Sequence, residues 1–130
     1  MTAKLYLTIS AIIAVLFGIG FILIPVRMGV LYGVIQNGTS ILNIRFFGSA
    51  LLSIAVISWL ARDFRDWDAV RAVLIGSAVG DVFGGLVNLW GTFRGVMNGL
   101  AWSTTILYVL LLLGALYCLY TGSRKPAQAH

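Results

Sequence analysis

Apolar residues along this chain form four long runs separated by short polar segments. The runs cover about residues 5–25, 41–61, 69–93 and 97–120. A helix needs about 20 consecutive apolar residues to cross the hydrocarbon core of a bilayer, which is about 30 Å thick. Each run therefore predicts one membrane-spanning helix, and Pro25 provides a natural end for the first.

Between the runs lie the connectors 26–40, 62–68 and 94–96, and the polar tail 121–130 is predicted to be mobile. The apolar patch in 26–40 is too short to cross, so we expect an interfacial or re-entrant turn there. Thr39 or Ser40 is a candidate N-cap for the second span. Asp66 or Asp68 is placed to cap the third span and to complement its dipole.

Composition supports a membrane protein with a single domain. Of the 130 residues, 60% are hydrophobic and only 10% are charged, against about 25% charged residues in a typical soluble domain. So few polar residues cannot cover a soluble globule, and such high hydrophobicity excludes disorder. The predicted fold class is all-α, a four-helix transmembrane bundle in up-down-up-down order that occupies the whole chain, 1–130.

Basic residues predict the orientation of the bundle. The net charge is +5, but the basic residues are scattered singly without a basic stripe, so we do not expect nucleic acid as a partner. Near span ends, six basic residues lie on one side and two on the other. The six are Lys4, Arg62, Arg65, Arg71, Arg124 and Lys125, and the two are Arg27 and Arg94. This bias favours a protein with both termini in the cytoplasm.

Two residues of opposite charge, Arg45 and Asp81, fall inside the second and third spans. Counted from the 62–68 loop their depths differ by about five residues, or about 7.5 Å, which an Arg side chain can largely cover. The sequence therefore predicts a buried Arg45–Asp81 ion pair. Helical spacing places Ser49 and Ser53 on the same face of the second span as Arg45. On the third span it places Ser77, Gly84 and Asn88 on the same face as Asp81. The cluster either locks helix register or lines a polar cavity for an ion, a proton or a polar ligand.

Small residues and outer polar residues suggest two further features. Gly76, Gly80 and Gly84 repeat every four residues, and Gly18 lies in the first span. Such glycines permit close helix packing, either within the chain or between copies. A possible outer pocket rim, which Arg45 would join, consists of Asn43, Trp90, Asn98, Trp102 and Thr105. The alternative for these residues is an interfacial aromatic belt.

Catalytic chemistry has little support in the sequence. The chain has no Glu, a single His at position 130 and a single Cys at position 118. We therefore predict no metal site, no His-activated nucleophile and no cofactor. An enzymatic role is not expected, although the sequence does not settle it.

A resemblance to a known group rests on several short motifs. These are Arg45-Phe46-Phe47-Gly48-Ser49-Ala50-Leu51-Leu52, Trp59-Leu60-Ala61-Arg62, Gly80-Asp81, and Gly95-Val96-Met97-Asn98 with Trp102. They resemble uncharacterised bacterial four-helix inner-membrane proteins, loosely similar to DoxX-like proteins. The resemblance implies a four-helix membrane fold and a role as a membrane subunit beside a redox partner. It implies no site residues.

Three functional hypotheses follow for a protein whose surroundings are the lipid bilayer. The first is a non-enzymatic membrane subunit or scaffold, acting through helix contacts with a second copy or with another membrane protein. The second is a small transporter or channel that uses the polar cavity around Arg45, Asp81 and Asn88. The third is a lipid- or quinone-binding membrane protein.

Overall fold

The structure is a computed structural model that describes residues 1–123, and within them it contains five α-helices and no strand. The helices are α1 (Ala3–Leu23), α2 (Pro25–Leu31), α3 (Gly38–Ala61), α4 (Trp67–Phe93) and α5 (Ala101–Ser123). All except α2 are long and apolar enough to cross a membrane. The predicted fold class, an all-α four-helix membrane bundle, is confirmed.

The segment after the first span forms a short helix of its own. Helix α1 ends at Leu23, and Pro25 begins the seven-residue α2. Proline suits this position because its missing N–H would have no intrahelical partner in the first turn. The sequence predicted an interfacial or re-entrant turn here and did not identify the helix.

Side-chain caps define where α3 and α4 begin. The Asn37 side chain accepts a hydrogen bond from the Ser40 N–H at 2.8 Å, and Ser40 Oγ accepts one from the Asn37 N–H at 2.9 Å. This capping box starts α3 earlier than predicted, with Thr39 and Ser40 inside the helix. Asp66, one of the two predicted caps of α4, accepts a hydrogen bond from the Asp68 N–H at 3.0 Å.

The last span, α5, begins at Ala101, four residues after the predicted start at position 97. Gly95 adopts a φ of +70°, which breaks the helix after α4. The Asn98 backbone N–H then donates to the Tyr32 carbonyl, and Asn98 Nδ2 donates to the Leu31 carbonyl, both at 2.8 Å. Asn98 therefore ties the connection to the end of α2, and α5 follows from Ala101 to Ser123. The rest of the predicted mobile tail, 124–130, lies outside the described residues.

The helices pack as two close antiparallel pairs. Helix α1 packs along α3, and α4 packs along α5, whereas α1 and α5 make a much smaller contact. Helices α3 and α4 also contact each other little, although only residues 62–66 connect them. The seam between α3 and α4 is therefore largely open.

Large buried side chains are concentrated at one end of the bundle, which we call the loop end because the 62–66 connection lies there. The apolar cluster at the loop end consists of Tyr6, Leu7, Ala61, Val70, Leu74, Ala78, Ala115 and Cys118. At the opposite end the buried residues are mostly small or polar, among them Gly18, Gly48, Asn88 and Ala101. The packing of the bundle is therefore asymmetric.

Candidate functional site

The structure does not form the predicted Arg45–Asp81 ion pair. The ion pairs found within residues 1–123 are Lys4–Asp63, at 2.7 Å between Nζ and Oδ1, and Arg62–Asp63, at 3.3 Å between Nε and Oδ2. Arg45 is exposed on α3. The prediction assumed that a short loop makes α3 and α4 packed neighbours, but each helix instead packs closely on a different partner.

The polar stripe on α3 satisfies its own hydroxyl groups. Ser49 Oγ donates to the Arg45 carbonyl at 3.1 Å, and Ser53 Oγ donates to the Ser49 carbonyl at 3.2 Å. Both serines are exposed, as is Arg45. Serine hydroxyls in helices commonly make this bond to the preceding turn. The stripe is therefore exposed on α3, and no described hydrogen bond or ion pair joins it to Asp81.

Asp81 lies near the middle of α4, about 21 Å along the helix axis from Trp67 and about 18 Å from Phe93. Its Oδ2 atom is buried and has no hydrogen-bond partner among the described residues. Asp81 as a whole residue is half-buried. It lies one turn before Gly84, which is in close contact with Tyr108 of α5. Ser77, one turn nearer the loop end, is half-buried.

Gly84 lets Tyr108 approach α4 next to Asp81. A Cβ atom at Gly84 would lie 2.7 Å from Tyr108 Cε1, so only glycine leaves space for the ring. Gly18 likewise packs against Leu52 of α3. By contrast, a Cβ atom at Gly76 or Gly80 would meet no described atom within 4 Å. Two of the four predicted packing glycines therefore make close contacts inside the chain, and two face open space.

Asn88 lies two helical turns from Asp81, toward the opposite end, and it joins α4 to α5. Its Nδ2 donates to the Ala101 carbonyl at 2.8 Å and to Thr105 Oγ1 at 2.7 Å. Asn88 is buried. It came from the predicted polar cluster, and Thr105 came from the predicted rim, so the structure brings together two residues that the sequence had assigned to different features.

The remaining rim residues do not gather into one pocket. Trp102 makes an edge-to-face contact with Phe93, with ring centroids 5.4 Å apart, and Arg94 lies 5.8 Å from the Trp90 ring. Asn98 holds the connection described above. Asn43 is exposed on α3, which packs on α1 rather than on α5.

Three tyrosines were overlooked as interior polar groups. Tyr6 is buried against Gly114, Tyr108 packs on Gly84, and the Tyr32 hydroxyl bonds to Thr104 Oγ1 at 2.9 Å between oxygens. A usable clue was present for Tyr108, because a tyrosine in the centre of an apolar run needs a partner for its hydroxyl. Tyr6 and Tyr32 sit near span ends, where an interfacial belt explains them equally well.

The chemistry available at this site is that of a single carboxyl group, Asp81, near the α4–α5 contact that Tyr108 makes at Gly84. Within the described part of the chain, no three His, Cys, Asp or Glu side chains are placed so that they could hold a metal ion. No protein-family model, curated protein or solved structure matches the chain. The resemblance to DoxX-like proteins therefore stays a prediction.

Proposed function

We propose that this protein is a small transporter or channel in which the Asp81 carboxyl binds a proton or a small cation. The observation that carries the proposal is the buried Oδ2 atom in the middle of α4, for which the described residues provide no hydrogen-bond partner. An unpaired carboxylate at this depth is costly. Binding of a proton, a cation or water to the carboxylate would remove that cost, and each of these species can pass through a transporter or a channel.

The asymmetric packing supports access to Asp81 from the opposite end of the bundle. On the loop-end side of Asp81, Leu7, Leu74 and Cys118 are almost completely buried and close the interior. On the other side, α5 carries Tyr108, and then Thr105 and Thr104, toward the opposite end. The Thr105 and Thr104 hydroxyls bond to Asn88 and Tyr32, so the interior between Asp81 and the opposite end is more polar than the interior on the loop-end side.

The charge bias gives this pathway a direction. Among the described residues, four basic side chains lie at the loop end and two at the opposite end, which favours a cytoplasmic loop end. The resemblance noted above adds that the membrane is a bacterial inner membrane. In this orientation both termini are cytoplasmic, and Asp81 is reached from outside. The loop-end cluster then forms the barrier on the cytoplasmic side.

Ion flux into liposomes tests the proposal. The purified protein is reconstituted with a pH-sensitive dye inside, and a potassium diffusion potential drives protons inward. A parallel experiment uses a sodium gradient and a sodium-sensitive dye. We expect wild-type flux well above that of empty liposomes in one of the two experiments, and we expect Asp81→Asn to reduce it to the level of empty liposomes.

Asp68→Asn is the matched control, because Asp68 is exposed in the first turn of α4 and the substitution removes the same charge. It should retain wild-type flux. Helical circular dichroism of each variant checks that the bundle has formed. Equal flux in folded Asp81→Asn and wild type, or no flux above empty liposomes in either experiment, would contradict the proposal.

The second candidate is a membrane subunit or scaffold that acts through helix contacts. It is supported by the exposed stripe of Arg45, Ser49 and Ser53 on α3, since polar groups on a lipid-facing helix favour a protein neighbour. Gly76 and Gly80 offer a second open surface, on α4. If Asp81→Asn does not change the flux, the flux experiment favours this second function.

A further inference from the structure

A groove lies between α4 and α5 at the loop end, away from Asp81. Its volume is about 410 Å³, and it is lined by Trp67, Arg71, Ile75, Leu119, Tyr120 and Ser123. Trp67, Arg71 and Ile75 follow one another at intervals of four residues, so they form one face of α4. The lining residues of α5 lie within its last two turns.

The walls of the groove are held in place by the packing of Trp67 on α5. The Trp67 ring lies directly against Gly122, where any Cβ atom would overlap the ring. Glycine at this position therefore lets the indole reach the backbone of the neighbouring helix. Because the ring is fixed between the two helices, the groove is a built feature of the α4–α5 pair.

Arg71 gives the groove a positive charge that has no partner among the described residues. Arg71 is exposed and makes no ion pair within residues 1–123, and no carboxylate lines the groove. The nearest acid along α4, Asp68, is exposed one turn earlier and is not bonded to Arg71. Arg71 lies about 6 Å along the axis from the start of α4, and so near one end of this candidate membrane span.

The other lining residues match the rest of a phospholipid. Trp67 and Tyr120 are amphipathic aromatic residues of the kind that lie at the level of headgroups. Ser123 adds a hydroxyl at the mouth, and its Oγ donates to the Tyr120 carbonyl at 2.9 Å, which leaves its oxygen free to accept. Ile75 and Leu119 extend the groove toward the membrane centre as an apolar wall.

We infer that this groove binds one anionic phospholipid, with its phosphate on Arg71 and an acyl chain along Ile75 and Leu119. Charge complementarity decides in favour of an anionic lipid. A zwitterionic lipid would bring an ammonium group for which the groove offers no carboxylate, whereas basic pockets between membrane helices bind anionic headgroups. The inference does not depend on the role of Asp81.

Lipid binding to the delipidated protein in a neutral detergent tests the inference. The thermal unfolding midpoint is followed while short-chain phosphatidylglycerol, the matching phosphatidylcholine, or inorganic phosphate is added. A ligand that binds only the folded state raises the midpoint. We expect phosphatidylglycerol to raise it at concentrations at least tenfold below those required of phosphatidylcholine, and inorganic phosphate to have no effect at those concentrations.

Two variants and one control locate the site. Arg71→Gln should weaken phosphatidylglycerol binding at least tenfold, and Ile75→Trp, which fills the apolar wall, should weaken it while leaving Arg71 in place. Arg65→Gln removes the same charge from the exposed 62–66 connection, outside the groove, and should bind as wild type does.

Three outcomes would overturn the inference. Equal weakening by Arg71→Gln and Arg65→Gln would indicate diffuse surface charge. Equal effects of the two lipids would indicate no headgroup recognition, and an equal effect of inorganic phosphate would indicate a small-anion site. If Arg71→Gln does not fold, the comparison of Ile75→Trp with wild type still decides whether the groove is occupied.

Discussion

At the scale of single residues, polar groups within the spans differ in whether the chain supplies their partners. The Asn88 Nδ2 group donates to two acceptors on α5, while Asp81 keeps a buried oxygen without a partner among the described residues. A structural role accounts for Asn88, because its amide hydrogens bond to the neighbouring helix. Asp81 has no such explanation, and this contrast is why the proposed function centres on it.

Asn88→Leu tests the structural role of that amide. Leucine has the same branching and the same number of side-chain heavy atoms, but it removes both hydrogen bonds to α5, so we expect the unfolding free energy to fall by about 1 kcal/mol, the scale typical of interhelical hydrogen bonds in membranes. Unfolding in mixed micelles, titrated with a denaturing detergent, measures the change. Asn43→Leu is the control, since Asn43 is exposed, and it should change stability little. Equal losses in both variants would contradict the assigned role.

At the scale of helices, the close α1–α3 pair depends on two glycines that face each other. A Cβ atom at Gly48 would lie 2.9 Å from the Gly18 carbonyl oxygen, and a Cβ atom at Gly18 would lie 3.1 Å from the Gly48 carbonyl oxygen. Backbone oxygen atoms cannot move aside without moving the helix. The pair therefore has no room for even a methyl group at this contact.

Gly48→Ala should accordingly separate α1 from α3 and destabilise the protein by about 1–3 kcal/mol, the usual cost of overpacking. Gly80→Ala introduces the same methyl group into open space on α4, and alanine also favours helix, so its stability should be unchanged or slightly higher. The detergent titration described above compares the two. Equal effects would show that the Gly18–Gly48 contact does not limit packing.

The sequence predicted the four spans because length and hydropathy alone define a membrane helix. It did not predict helix pairing, because nearly every face of such a helix is apolar, and lipid-facing residues cannot be told from packed ones. The Arg45–Asp81 pair was wrong for this reason, since a short loop was taken to mean a packed neighbour. The short α2 was missed because a mostly apolar segment of seven residues is typical of several structures.

The late start of α5 had a different cause. Met97 and the residues after it are compatible with a helix by composition. Their structure is set by Gly95 and by hydrogen bonds from Asn98 to α2, which is distant in the chain. Contacts of that kind depend on the tertiary fold and leave no local pattern in the sequence.

At the scale of the whole molecule, an ion pair as well as apolar packing joins the helices at the loop end. Lys4, in the first turn of α1, donates a hydrogen bond to Asp63 in the connection between α3 and α4. This bond, together with the Arg62 guanidinium, holds the pKa of Asp63 below its usual value. The contact therefore links the start of the chain to the connection between the two helix pairs. Both side chains are largely exposed, so its contribution to stability is small.

The Lys4–Asp63 link should weaken on acidification. The pKa of Asp63 is lower in the folded protein, so its contribution is fully present above the unfolded value of about 3.9. The contribution is lost as the pH falls through the lower folded value. Unfolding midpoints of wild type and Asp63→Asn, measured from pH 6 down to pH 2.5, isolate this contribution because the other carboxyl groups are present in both proteins. Wild type should be slightly more stable above about pH 4, and the difference should vanish at the acid end, whereas a difference that is constant with pH would mean that Asp63 acts through packing and not through its charge.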